Sequence, residues 1–238
     1  MNQAWLYFGA VVIGWIGGGL VNWAADVLPG WHPDGSRPDF GALWRDRAHY
    51  WVLAWRPNTH CSRCRQTIGW RSPAVMASAI VLALLVALRA RSGIELVVVW
   101  FYAFFLLAVT VIDLEHRRVL NIMLAPMAVI AAVFSLLPFA PEPLAMALGG
   151  VVGLGLFLVL GIIGRGALGM GDIKLAGVIG IMVGYPGVLY ALIAGALLGG
   201  VAAVVLLVTR KATRKTAIAY APYLSLGAII ILWLQLGS

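Results

Sequence analysis

Gly184-Tyr185-Pro186-Gly187 interrupts an apolar stretch that runs from residue 175 to residue 209. How this break is read sets how often the chain crosses a membrane. About 20 apolar residues cross a hydrocarbon core of roughly 30 Å. The stretch is therefore either one kinked helix with a stub or two short spans joined by a tight turn, since Gly and Pro are the strongest local breakers.

The surrounding chain makes the membrane reading secure. Of its 238 residues 62% are hydrophobic, against roughly 45–50% in soluble domains, and the mean hydropathy is +0.96. The fold class is all-α, a polytopic membrane protein. Outward from the break, apolar runs of near-spanning length lie at 5–25, 73–88, 95–112, 119–137, 145–164 and 217–236. The first has no basic residue before it, so it reads as a retained helix rather than a signal peptide. Gly14 and Gly18 give it a small face suited to close helix packing. Gly149-Gly150 with Gly153 and Gly155 resembles a Gly-rich cofactor loop only superficially: it sits inside an apolar run with no strand before it, and helix packing is the better reading.

Charge decides the parity. The net charge is +8, but the basic residues fall between apolar runs, which is a topology signal and excludes a nucleic-acid partner as the reading of the high pI. With the break as a turn there are about eight transmembrane helices. Fifteen of the 17 Lys and Arg then share one side, in the loops at 26–71, 113–118, 165–174 and 210–215. Arg89 and Arg91 alone fall opposite. The positive-inside rule makes the shared side cytoplasmic and puts both termini outside. With seven spans the basic cluster at 210–215 would lie outside. The chain thus divides into a first transmembrane helix (1–25), a cytoplasmic Arg-rich loop (26–71) with one C-x-x-C, and a transmembrane core (72–238).

Two acids stand out in that core. Asp172 lies in Gly169-Met170-Gly171-Asp172-Ile173-Lys174-Leu175, and an acid kept at membrane depth marks a functional site by default. As a helix, 172–184 rises only about 18 Å, which sets Asp172 below the membrane surface, and the glycines before it suit a non-helical approach lining a polar cleft. Asp113, in Val111-Ile112-Asp113-Leu114-Glu115, ends the third span on the same side. Two carboxylates that face one another share a proton, because neighbouring like charges do not both ionise cheaply. One then serves as general base on water and the other as the acid that polarises a carbonyl. The plainer readings make Asp113 a helix-end marker, Asp172 an ordinary loop acid and Lys174 a positive-inside anchor. A transporter or channel using both acids as an ion site is the alternative from another class, although such sites sit nearer the midplane.

The motif Gly169-Met170-Gly171-Asp172-Ile173-Lys174-Leu175 resembles the G-x-G-D-x-K-L signature of the type IV prepilin peptidases, within the wider G-x-G-D group of intramembrane aspartyl proteases. The Asp113 segment, with Asn121 downstream, is similar to that family's first catalytic aspartate segment. Ala219-Tyr220-Ala221-Pro222-Tyr223-Leu224-Ser225-Leu226-Gly227-Ala228 resembles its final-helix pattern, and Gly18-Gly19-Leu20-Val21-Asn22 with Leu28-Pro29 the end of its first helix.

The resemblance implies a membrane aspartyl endopeptidase with Asp113 and Asp172 as the catalytic pair and Gly169, Gly171 and Lys174 in support. Its partners would be the lipid bilayer and a type 4 prepilin or secretion pseudopilin, cut after a short basic leader at the cytoplasmic face of a bacterial inner membrane. A related protease with another leader as substrate is the nearest rival. Asp26, Asp34, Asp39, Asp46 and Glu115 are the counter-charges on offer to a basic leader. No cofactor is required for proteolysis. Many family members also methylate the new N-terminus with S-adenosylmethionine, and that activity stays open here. Members often carry two C-x-x-C pairs consistent with a structural metal; this chain has only Cys61-Ser62-Arg63-Cys64. Cys61 and Cys64 would need His49, His60 or a second subunit to complete a tetrahedral zinc site, and free thiols are the alternative.

Overall fold

The computed structural model describes residues 3–30, 50–51, 55, 69–138, 140–164, 168–209 and 219–236. Among these it is all-helical. The eight α-helices are α1 (Gln3–Val27), α2 (Arg71–Ala87), α3 (Gly93–His116), α4 (Asn121–Phe134), α5 (Pro143–Ile163), α6 (Met170–Val183), α7 (Gly187–Val208) and α8 (Ala221–Gln235). α1, α3, α5 and α7 are long and apolar enough to cross a membrane, whereas α2, α4 and α8 are shorter apolar helices. The chain is thus a polytopic helical membrane protein. It folds as two compact units that divide inside α3, after Val111.

In the first unit α1 packs on α2 through the glycine face read from the sequence. A Cβ on Gly14 would stand 2.6 Å from the Ile80 Cα, and one on Gly18 would stand 2.8 Å from the Met76 sulfur. The end of α1 is tied to the start of α2 by polar groups. Asn22 is fully buried and donates to the Ser72 carbonyl at 3.3 Å, and Arg71 pairs with Asp26 at 2.7 Å. The indole of Trp100 on α3 donates to the Ala83 carbonyl at 2.9 Å.

In the second unit α6 is the central helix. Leu175, Ala176, Ile179, Met182 and Val183 are all buried, as expected of a helix apolar on every side. Its approach to α5 is backbone on backbone. A Cβ on Gly149 would run into the Gly180 carbonyl, one on Gly180 into the Gly149 carbonyl, and one on Gly153 into the Ala176 carbonyl. α7 and α8 meet similarly: a Cβ on Gly227 would run into the Ala191 carbonyl, and one on Gly195 would stand 3.0 Å from the Leu224 Cα.

The break that set the parity is a turn between two helices. Gly184 takes φ +68°, a region open to glycine at little cost. The Tyr185 N–H donates to the Ala145 carbonyl at 2.8 Å, and the Gln235 side chain donates to the Val183 carbonyl at 3.0 Å. Two expectations are corrected. α3 continues through Asp113 to His116, ended by Arg117 at φ 51°, so Asp113 lies inside the helix rather than at its end. α6 begins at Met170, so Gly171 is helical and forms no irregular approach to Asp172.

The α5–α6 contact gives a direct test. Gly180→Ala puts a methyl into the Gly149 backbone, and such overpacking costs about 1–3 kcal/mol. The expected result is a clear drop in the thermal unfolding temperature of the purified protein. Gly200→Ala, where no atom of the described residues lies within 4 Å of the new methyl, should leave that temperature unchanged or slightly raised.

Candidate active site

Asp113 and Asp172 come together within the second unit. They are near enough for the Asp113 charge to bear on Asp172. Asp113 is only 5% exposed. The backbone N–H of Ala221, at the start of α8, donates to its carboxylate, and the Arg117 guanidinium acts on it from the next turn. Its Oδ2 is buried without a hydrogen-bond partner among the described residues. A buried acceptor left unmatched calls for an explanation, and a carboxylate oxygen that a water or substrate group would occupy supplies one.

Asp172 is held differently. It stands in the first turn of α6, where the helix dipole favours an acid, and its carboxylate turns back to the N–H of Gly169, the residue that caps the helix in extended conformation. A Cβ at Gly169 would lie 3.2 Å from Oδ2. Gly171 faces the other way: its Cβ would sit 2.8 Å from that of Val119. The bare backbone there lets the start of α6 lie against the segment leading into α4. That contact brings Lys174 to Asn121, and its ammonium donates to Oδ1 at 2.9 Å. Lys174 thus serves Asn121, the downstream polar residue, and is exposed.

Tyr220 and the Ala221 N–H are members of the site that sequence reasoning did not single out. Tyr220 immediately precedes α8, its ring packed against Phe157 at a centroid distance of 6.1 Å and against Tyr223 at 6.5 Å. Burial, and then the neighbouring Asp172 charge, push its hydroxyl above the usual range. The signal was the 219–228 stretch, whose pattern marks a helix start but does not say that the start abuts the acids.

Other expected members fare less well. Asp26, offered as a counter-charge for a leader, is already paired with Arg71. Asp34, Asp39 and Asp46 lie outside the described residues, as do Cys61 and Cys64 with His49 and His60. Among the described residues no group of three or more His, Cys, Asp and Glu is placed to hold a metal.

Fold and site together define a helical membrane protein with a recessed pair of acids at the N-terminal end of a buried helix. Residues 100–204 match the type IV leader peptidase family, a stretch that holds Asp113, Gly169, Gly171, Asp172 and Lys174. The chain is 31% identical over 182 residues to a prepilin leader peptidase/N-methyltransferase of Pseudomonas putida. It is 29% identical over 183 residues to a protein of the same name from Pseudomonas aeruginosa. Each alignment covers 73% of this chain and 62% of the relative, so the chain spans less than two thirds of the length of these curated relatives. No solved structure gives a significant match.

The methyltransferase in those names implies S-adenosylmethionine. The described cavity between α4, α5 and α6 does not fit it: Asn121 and Lys174 are its polar side chains in an otherwise apolar lining. A charged nucleoside needs several placed polar partners.

The Tyr220–Asp172 proximity is open to a titration. The tyrosinate difference spectrum, wild type minus Tyr220→Phe, isolates one hydroxyl, whose midpoint is expected above the ordinary value of about 10. The same subtraction made in an Asp172→Asn background should bring the midpoint down, because a negative neighbour that opposes ionisation has been removed. An unmoved midpoint would place Tyr220 away from the carboxylate.

Proposed function

We propose that the chain is a membrane aspartyl endopeptidase that removes the basic leader from a type 4 prepilin or secretion pseudopilin, with Asp113 and Asp172 as the reacting pair. The observation that carries this reading is the buried, unpartnered Oδ2 of Asp113 beside a second carboxylate, within a segment that matches the leader peptidase family.

The chemistry needs one ionised and one protonated carboxyl group around a water. The ionised member takes a proton from the water as its oxygen attacks the scissile carbonyl carbon. The protonated member gives its proton to the carbonyl oxygen. Collapse of the tetrahedral intermediate breaks the C–N bond, with the proton gained from water passing to the leaving amine. The Ala221 N–H holds the Asp113 carboxylate in place from outside the pair, and Gly169 does the same for Asp172.

Several finer features belong to the same reading. The basic loops face the cytoplasm of a bacterial inner membrane and both termini lie outside, on the strength of the skewed Lys and Arg distribution. The new N-terminus is a candidate for methylation, supported by the relatives' names. No step of the proteolysis depends on it.

Asp113→Asn and Asp172→Asn should each abolish cleavage of a prepilin in membranes while the protein still accumulates. General acid–base groups are individually worth about 10²–10⁴-fold in rate, so either loss should exceed 100-fold. Retention of cleavage in either variant would refute the pair. The mass and N-terminal sequence of the wild-type product report the cleavage position and any added methyl together.

A further inference from the structure

A groove of about 940 Å³ runs between α4, α5 and α6. It extends from Asn121 to Ala128 along α4 and from Lys174 to Ile181 along α6, a run of about 10 Å. Leu124, Ala128, Leu154 and Val178 line its walls, with Gly150 and Gly177 in the lining where α5 and α6 cross. Val151 at its rim is 71% exposed, so the opening faces the membrane side of the unit. Only one end is polar. There the Lys174 ammonium rests on Asn121, a neutral acceptor, and makes no ion pair among the described residues.

The helix lengths account for the space. α4 and α6 have 14 residues each, about 21 Å, beside an α5 of 21 residues, about 31 Å. A slot that is apolar along its length and cationic at one end matches an amphiphile with an anionic head and a hydrocarbon tail. A guest helix with its N-terminus at the Lys174 end would set the positive end of its dipole against that ammonium, and one of the opposite direction would offer only a partial negative charge, so the full negative charge of a lipid headgroup is the better complement.

We propose that this groove holds one acyl chain of an anionic phospholipid, with the phosphate seated on Lys174 and Asn121. The site adjoins Asp172 along α6 but does not depend on the protease reading.

The test is lipid retention, read by native mass spectrometry of the full chain. The purified protein is stripped with detergent and re-exposed to nanodiscs of equal parts phosphatidylglycerol and phosphatidylcholine. Wild type is expected to retain phosphatidylglycerol several-fold over phosphatidylcholine. Lys174→Gln should remove that preference, and Ala128→Trp, which fills the groove, should lower retention of both lipids. Val151→Trp at the exposed rim repeats the block without burdening the core, and helicity by circular dichroism verifies the fold of each variant. An unchanged lipid ratio in Lys174→Gln would overturn the proposal, as would undiminished retention in a folded Trp variant. Undiminished retention combined with loss of prepilin cleavage would assign the groove to the substrate helix instead. An inorganic phosphate competition separates headgroup from free anion: phosphate that displaces the bound phosphatidylglycerol as well as excess lipid does would count against an anchored acyl chain.

Discussion

The second unit depends on one contact, the backbone-to-backbone crossing of α5 and α6 at Gly149, Gly153 and Gly180. Between apolar helices in a bilayer there is no hydrophobic gain from association, so close approach and dispersion must hold them together. Removing the side chains at the crossing permits that approach. It also lets α6 be enclosed, with α4 and α8 packed on it as well. With the helix held in this way, the acid in its first turn meets groups from two other segments, the end of α3 and the start of α8. The glycines therefore act on the site at a distance: they fix where the start of α6 lies.

Three pieces of chain distant in sequence build the acid pair. The last turns of α3 bring Asp113, the first turn of α6 brings Asp172, and the start of α8 brings the Ala221 N–H and the Tyr220 ring. Two of the pieces are helix starts, where backbone N–H groups lack intrahelical partners. The site draws on these: Ala221 and Gly169 spend unpaired N–H groups on the two carboxylates. Buried acids in an apolar unit otherwise need a counter-ion; the N-terminal ends of α6 and α8 supply partial positive charge, and Arg117 adds a full one to Asp113. Lys174, the nearest full cation in sequence to Asp172, is instead committed to Asn121.

Much of this was legible in the sequence because helices in lipid announce themselves by length and charge placement. The Gly184–Pro186 break, the Gly14 and Gly18 face and the packing role of Gly149-Gly150 all follow from local composition, and the structure has each of them. Hydropathy cannot see where a helix stops when the residues beyond the apolar run are still helix formers. Asp113, Leu114 and Glu115 extend α3 for this reason, and Met170 and Gly171 start α6 early. The partners of the acids were hidden for a different reason. A backbone N–H has no residue identity, so no motif could have pointed to Ala221. Tyr220 stood inside the stretch read as the final-helix pattern, which carries no sign of the acids.

The role of Gly171 follows from the same geometry. Read from the sequence, it was a source of irregular backbone near Asp172; in the fold it is an ordinary helical residue whose missing Cβ admits Val119. Val119 lies between the end of α3 and Asn121, the first residue of α4. Gly171 thus sets the spacing between the helix that carries Asp172 and the link that leaves Asp113, and the Lys174–Asn121 hydrogen bond pins the same link one turn further along. Gly169 has a separate task, since a side chain there would crowd Asp172 Oδ2 itself. The two glycines of the motif therefore divide the work. One keeps the carboxylate accessible to its own helix end, and the other keeps the chain that bears the second acid within reach.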